Sequence, residues 1–458
     1  MKLKRFVAKN VHGYLKFDID FRTDLTFLIG MNGSGKTTAI RLILGLLSPS
    51  LYNLTQIVYS FAEVECEEDG NKLVVRAEAS SEEKIKLTLI VNDDETLSTH
   101  GYIRGLDLSP SHFNQSSQFE MRRIAARYSR FESIFSQQEV VKTIRKLITP
   151  IFLGLDRRIY EGNEIDLANL ESLTREKDII QNIKGSLYDS LIDVESLIRS
   201  SFLIYTEEQT KIANELKNRL IYSSFDLIHN TSLDTIIDRS IDIDLIEMRI
   251  KNASKNFEIN GLEEKIVNYF AELKRLQSAL NLLAHKHNGS VDDQGEYMKV
   301  LSQWFSNSPQ LQRIDQIIAL YETAQLEMAK AYEQFLNFER LANKFFLDGN
   351  KSLRISKGGE IEIVLPNGRT SNIFRLSSGE KQILVMLAQL IFGAHRQIFI
   401  IDEPEISLHL GWQEIFVPAI MQASSQTQFI LATHSPTIIG PIENEIYCSD
   451  LSLTQENA

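Results

Sequence analysis

The run Gly30-Met31-Asn32-Gly33-Ser34-Gly35-Lys36-Thr37 matches G-x-x-x-x-G-K-[ST]. Glycines let a backbone wrap closely, so that its N–H groups face phosphate oxygens at the start of a helix. Gly30, Asn32, Gly33, Ser34, Gly35 and Thr38 are the expected cradle, Lys36 the point charge for the outer phosphates, and the Thr37 hydroxyl a ligand for Mg2+. Far along the chain, the apolar run Ile398 to Ile401 ends in Asp402-Glu403. Asp402 is expected to hold the Mg2+, directly or through water, and Glu403 to act as general base on an attacking water. Upstream of that pair, Leu376-Ser377-Ser378-Gly379-Glu380 puts hydroxyls at a helix start. They either cap that helix or offer Ser377, Ser378 and Gly379 to a γ-phosphate. Ala432-Thr433-His434-Ser435-Pro436 follows a second apolar run. A lone histidine is usually structural, but its place after Asp402-Glu403 makes His434 the expected partner of a γ-phosphate. The shared chemistry is Mg2+-dependent binding and cleavage of a nucleoside triphosphate.

These residues need elements to bring them together. Leu3 to Val11, Leu15 to Phe21 and Leu25 to Ile29 read as strands. Thr37 to Leu47 reads as a helix with Ile40, Ile43, Leu44 and Leu47 on one face. Ile57 to Cys66, Lys72 to Ala79 and Lys84 to Val91 form an expected meander turning at Asp69-Gly70 and Asn92-Asp93. Arg122 to Leu147 returns to a helical pattern. From about Ile165 to Phe345 the β signal fades. Leu262, Ile266, Tyr269, Leu273, Leu276, Leu280 and Leu283 alternate spacings of four and three, as in a heptad stripe. Ile314, Ile318, Tyr321, Met328, Tyr332 and Phe335 give a looser stripe, and Leu187, Leu191, Val194 and Ile198 another. This middle is expected to be a helical arm or bundle. After it come a hairpin turning at Lys357-Gly358-Gly359, a helix from Glu380 to about Phe392, and buried strands at Gln397 to Ile401 and Phe429 to Ala432. The expected organisation is an α/β head built from both chain ends, 1–160 and 348–458, around a helical insertion, 161–347.

Composition bounds the function. The 458 residues carry 49 Lys+Arg against 61 Asp+Glu, a net charge of -12, which weighs against a protein that coats nucleic acid. Hydrophobic content of 43% is that of an ordinary globular chain. Two cysteines, Cys66 and Cys448, exclude a disulfide framework or a multi-cysteine zinc site and suit a reducing compartment. No signal peptide or membrane span is legible, so a soluble cytoplasmic protein is expected.

The order of the phosphate loop, LSSGEKQ, IFIIDEPE, SLH and ATHSP resembles the ABC-type ATPases of the SMC, RecF and Rad50 class. The resemblance implies two heads that sandwich two ATP molecules, with Ser377, Ser378 and Gly379 reaching the γ-phosphate in trans. It makes Asp402 and Glu403 the Walker B pair, Ser407, Leu408 and His409 the D-loop, and His434 the switch histidine. LSSGE departs from LSGGQ at two positions. The Q-loop glutamine stays open among Gln115, Gln118 and Gln137, and Tyr14 either stacks on adenine or packs in the core.

Several branches of that class fit poorly. The long stretch between Thr37 and Leu376 does not suit a transporter ATPase, the middle lacks the cysteines of a zinc hook, and its heptads are short for an SMC arm. Little sequence follows Thr437, so no Toprim nuclease domain of the OLD type is expected. The start VHGYLKFDIDF, with FLGLDRR, resembles AriA-type ATPases of PARIS phage-defence systems, with PtuA-type ATPases of Septu next. That resemblance implies a homo-oligomer of dimer units, up to a hexamer, which holds a separate Toprim-type AriB-like nuclease and releases it on meeting a phage trigger protein. The alternatives are an ATPase working with an HNH nuclease, or a repair ATPase that clamps DNA. Arg122, Arg123, Arg127, Arg130, Lys142, Arg145 and Lys146 either touch DNA, or an acidic trigger, or are surface charges. Glu63, Glu65, Glu67, Glu68 and Asp69 read as a solvated face, and His285, His287, Asp292 and Asp293 as a solvated loop.

Overall fold

The computed structural model describes residues 1–49, 51–55, 57–80, 84–102, 131–147, 150–153, 159–161, 179–225, 242–254, 261–285, 291–393, 398–441 and 446–451. The chain divides into two compact units. One is Met1–Ser201 with Gln334–Ala458, the other Phe202–Glu333.

The first unit is an α/β head with two six-stranded sheets. One is an antiparallel meander of β1 (Lys2–Val11), β2 (Leu15–Asp20), β4 (Phe61–Glu68), β5 (Asn71–Ser80), β6 (Lys84–Val91) and β7 (Asp94–Tyr102), in the order β2-β1-β4-β5-β6-β7. Alternation makes it: along β2 the pattern is buried at Leu15, Phe17 and Ile19 and exposed between. Asp69-Gly70 and Asn92-Asp93 all have positive φ, the backbone of two-residue hairpins. The first meander strand begins at Phe61 rather than Ile57, although Ile57 and Tyr59 are buried, and β7 is a strand the sequence pattern does not announce. The expected solvated face of β4 is neutralised by cross-strand pairs: Glu63 with Arg76, Glu65 with Lys72, Glu67 with Lys4.

The second sheet carries the site. It runs β15-β3-β14-β13-β8-β9, from β3 (Leu25–Ile29), β8 (Ile151–Leu153), β9 (Ile159–Glu161), β13 (Ile398–Asp402), β14 (Gln428–Ala432) and β15 (Cys448–Asp450). All its pairings are parallel except β8 with β9. β13 and β14 are buried along their whole length, which is why they read as continuous apolar runs. The helix Lys36–Leu47 lies in the core shared by both sheets. It therefore buries Ala39, Leu42 and Leu46 as well as the anticipated face of Ile40, Ile43, Leu44 and Leu47. On the opposite face of β13 and β14, Phe399 and Phe429 pack at 6.2 Å.

Distant chain segments are tied directly. Gln428, fully buried, accepts the Leu3 N–H at 2.7 Å and donates to the Leu3 and Arg22 carbonyls at 2.9 and 2.5 Å. A third, three-stranded sheet holds the hairpin β10 (Ser352–Ile355) and β11 (Ile361–Val364), with β12 (Thr370–Ser371).

The second unit is helical. Long helices Ile179–Phe225 and Val291–Phe346 each contribute to both units, and Ile243–Ser254 and Leu262–His285 lie within it. Its core joins Ile243, Ile246, Ile266, Phe270, Leu273, Leu276, Trp304, Leu311 and Ile318. The heptad stripe lines this core from Leu262 to Leu280, with Phe270 more buried than the stripe residue beside it, Tyr269; the Leu283 side chain lies outside the described residues. Arg249 pairs with Asp315 and Glu322, and Lys274 with Asp244 and Glu247, closing the cluster's rim. Among the described residues no helix is long and apolar enough to cross a membrane.

Candidate nucleotide site

β3, β14 and β13 are neighbours, and their register aligns Leu28, Ala432 and Asp402. Three loops therefore leave the same sheet edge side by side: the glycine loop after Ile29, His434 after Ala432, and Glu403 after Asp402. A carboxyl-edge crevice of this kind is where parallel α/β sheets bind ligands.

Each loop has a local cause. Gly30, Gly33 and Gly35 have φ of 146°, 86° and 91°, a backbone that aims successive N–H groups inward. Gly35 is also crowded, since a Cβ there would lie 2.7 Å from the Phe17 ring, whereas one at Gly33 would meet nothing. Gly35→Ala should therefore weaken nucleotide binding by at least about tenfold, from about 1–3 kcal/mol of backbone strain plus overlap. Gly33→Ala should cost less. Titration with a fluorescent ATP analogue compares the two, and equal affinities would contradict the contact.

Lys36 is 5% exposed. Its ammonium donates to the Gly30 carbonyl at 3.0 Å and the Met31 carbonyl at 3.4 Å, and lies 3.5 Å from His434 Nδ1. Burial lowers the Lys36 pKa, while Glu403, Asp402 and Glu405 oppose the shift. An ammonium only donates, so Nδ1 is the acceptor and the imidazole proton is assigned to Nε2. That nitrogen faces Glu403 Oε1 at 3.9 Å. His434 thus bridges the phosphate-loop lysine and the expected general base. Glu403 holds the left-handed backbone, φ 49°. A non-glycine residue in that region is a strained position of the kind found at active sites.

Asp402 tests the fit of a metal. It is 3% exposed and both carboxylate oxygens are buried without a hydrogen-bond partner. Burial pushes its pKa up; the Thr37 hydroxyl opposes, Glu403 adds to the rise, and Arg41 and Lys36 pull it down. Two oxygens in that state beside a threonine hydroxyl suit a hard divalent cation. Ser34 adds a buried oxygen without a hydrogen-bond partner among the described residues, this one in the glycine loop, and Thr37 and Thr38 are half-buried.

Of the expected signature residues, Ser377 and Ser378 are exposed and Gly379 half-buried, at the start of the helix Ser378–Phe392. Ser377 forms a capping box: its N–H donates to Glu380 at 2.7 Å and its hydroxyl accepts the Glu380 N–H at 3.4 Å. The cap reading of these serines is therefore present, and their exposed faces lie at a helix N-terminus. Lys351 holds Glu380 at 2.8 Å. Burial alone would raise the Glu380 pKa, but Lys351 and Ser377 hold it below the ordinary carboxylate value of 4.5. A depressed acid stabilises above the unfolded value and loses that contribution as pH falls through the folded one. Acid should therefore lower the urea midpoint of the wild type below pH 4.5 more steeply than that of Glu380→Gln.

Of the residues expected to form the D-loop, Leu408 is buried and His409 exposed, packed on Trp412 at 4.7 Å; Ser407 lies in the 3-10 turn Pro404–Ser407. Gln137 is exposed, Gln115 and Gln118 lie outside the described residues, and Tyr14 is 60% exposed rather than core. Arg145 is not a free basic residue. It donates to the Pro49 carbonyl at 2.7 Å and to Glu132 at 2.9 Å, so it joins helices within the head. Arg122, Arg123, Arg127 and Arg130, and the side chains of His285, His287, Asp292 and Asp293, lie outside the described residues. The sequence assigned nothing to Glu405 or Gln413, which bind the His434 loop; the third acid of Asp402-Glu403-Pro404-Glu405 was the available signal.

Residues 1–439 match the AAA_15 family model, the AAA ATPase domain. The chain belongs to this family. It uses ATP, and hydrolysis of ATP is the chemistry of the domain. The chain is similar to the Retron Vc95 probable ATPase of Vibrio cholerae serotype O1 biovar El Tor, 29% identical over 115 residues, which is 22% of each chain. It is also similar to the Retron Ec83 probable ATPase of Escherichia coli, 30% identical over 115 residues, 22% of this chain and 21% of that one. These matches thus span about a fifth of the curated relatives. Among solved structures, the Smc head domain with an extended coiled coil bound to the C-terminal domain of ScpA, from Pyrococcus furiosus, covers 96% of this chain and 91% of its own at 15% identity, TM-score 0.38. The SMC head domain from Thermotoga maritima gives the same coverage at 12% identity, TM-score 0.35. The α/β head with a helical insertion rests on the sheet topology itself.

Proposed function

We propose that this protein is an Mg2+-dependent ATPase that serves as sensor and scaffold of an anti-phage defence system. The observation that carries the catalytic half is the meeting of Lys36, His434 and Glu403 at the edge of three adjacent parallel strands. ATP binds the glycine loop through Gly30 to Thr38, with Lys36 on the outer phosphates. Thr37 and Asp402 would hold the Mg2+, which would supply charge neutralisation at the phosphates. Glu403 takes the proton of the attacking water and His434 contacts the γ-phosphate. Ser377, Ser378 and Gly379 of a second copy complete the site, so that two heads close on two nucleotides. The exposure of these signature residues supports that trans role.

In the defence half, the oligomer holds a separate Toprim-type nuclease and releases it when a phage protein binds. The organisation follows PARIS ATPases, with 1–160 and 348–458 as head and 161–347 as arm. A retron-type ATPase paired with a different effector is a second reading, favoured by the two retron relatives. Native mass measurement of the protein co-expressed with its operon partner separates them. A stable complex with a Toprim-type neighbour that dissociates on adding the trigger is the expected result. An uncomplexed protein that binds duplex DNA tightly and with steep salt dependence would overturn it.

A further inference from the structure

Among the described residues, the contacts of the His434 ring are long, 3.5 Å to Lys36 and 3.9 Å to Glu403. What fixes it is its backbone, and the anchor is Glu405. This carboxylate sits in the turn Pro404–Ser407, two residues beyond Glu403, and reaches from the end of β13 to the end of β14. Oε1 accepts the His434 N–H at 2.7 Å, and Oε2 accepts the Thr433 hydroxyl at 2.9 Å. Thr433 is 1% exposed, and its oxygen also accepts the Ser435 N–H at 3.0 Å. The Ser435 hydroxyl donates to Gln413 Oε1 at 2.7 Å, and Gln413 Nε2 donates to the Leu408 carbonyl at 2.9 Å. The bonds close a ring: Glu405, Thr433–Ser435, Gln413, Leu408 and back along the chain to Glu405.

We propose that Glu405 is a positioning residue for hydrolysis, which sets the His434 imidazole between Lys36 and Glu403 and ties that position to the loop Ser407–His409. Bonds from N–H and O–H groups to an ionised carboxylate are about twice as strong as neutral ones, so one acid can fix a segment its neighbours do not. The strained backbone of Glu403 directs the chain into the turn that carries Glu405, so the base and the anchor of the histidine are set by one turn. Movement of Leu408 passes through Gln413 to Ser435, and so to His434.

This inference rests on the proposed roles of Glu403 and His434, and a double-mutant cycle tests it in the full-length protein. Glu405→Ala should lower kcat about tenfold to a hundredfold, with KM for ATP within about twofold, because the loss lies in orientation rather than binding. In a His434→Ala background the same change should cost less than about twofold, since the residue acts through the histidine. Glu405→Gln keeps one acceptor for the His434 N–H and should recover part of kcat; it also stands in if Glu405→Ala does not fold. An undiminished effect in the His434→Ala background, a KM that rises in step with the loss of kcat, or full activity in Glu405→Gln and Glu405→Ala overturns the positioning role. If instead His434→Ala and Glu403→Gln hydrolyse ATP at the wild-type rate, the site assignment itself falls, and the positioning role with it.

Discussion

Glu403→Gln is expected to cut the steady-state rate of ATP hydrolysis by about 10²–10⁴-fold, the contribution of a positioned general base, while ATP affinity stays within a few-fold. The reasons lie in the geometry. Glu403 is only partly buried, so a neutral amide of the same shape creates no buried unpaired charge. The Gly30 and Met31 carbonyls that hold Lys36 are untouched by the change. What is lost is the acceptor for the water's proton and the carboxylate that faces His434 Nε2. Phosphate release measured beside equilibrium nucleotide binding separates the two steps. A variant that hydrolyses normally would remove Glu403 from the base role. If heads close on ATP, the variant should also accumulate as an ATP-bound dimer in native mass spectra.

Lys36→Ala should act on the other step. Deleting one partner of a charge-assisted contact to phosphate costs about 2–5 kcal/mol, or about 30-fold to several thousand-fold in the ATP dissociation constant. Folding should not suffer in proportion. Burial lowers the Lys36 pKa, which means that the folded state disfavours the charged form. A lowered lysine value also means that its cost eases as pH rises through the folded value. Lys36→Ala is therefore expected to melt at or slightly above the wild-type temperature near neutral pH while failing to bind ATP. A large drop in melting temperature would instead mark Lys36 as a structural residue, and unchanged ATP affinity would overturn its role at the phosphates.

Much of this was legible in the chain. Glycine spacing before Lys36-Thr37 announced the cradle, because few residues tolerate φ near +90°. Continuous apolar runs at Ile398 to Ile401 and Phe429 to Ala432 announced buried strands, which the structure extends to Asp402 and Gln428. Asp69-Gly70 and Asn92-Asp93 announced hairpins through local turn chemistry, and the capping box at Ser377 and Glu380 announced a helix start. All of these are short-range constraints, written where they act; the Glu380 half of the capping box was seen only in the structure.

Other features depend on which strands become neighbours. That β14 lies between β3 and β13, and so brings His434 within reach of both Lys36 and Glu403, is a matter of strand order, and no local pattern encodes it. The burial of Leu42 and Leu46 follows from a second sheet above the helix. Arg145 looked like one of a row of free cations, and only the approach of Glu132 and Pro49 makes it a brace. Glu405 is the sharpest case. Its type marks it as one more surface acid, yet the fold sets its two oxygens against Thr433 and His434. The sequence by itself determined the residues that can cradle phosphate, bind a cation and abstract a proton. Tertiary structure alone decided how those residues share one edge, because hydrogen-bond geometry is set by distances across neighbouring strands, whether 28 residues apart as for Glu405 and Thr433 or 398 as for Lys36 and His434.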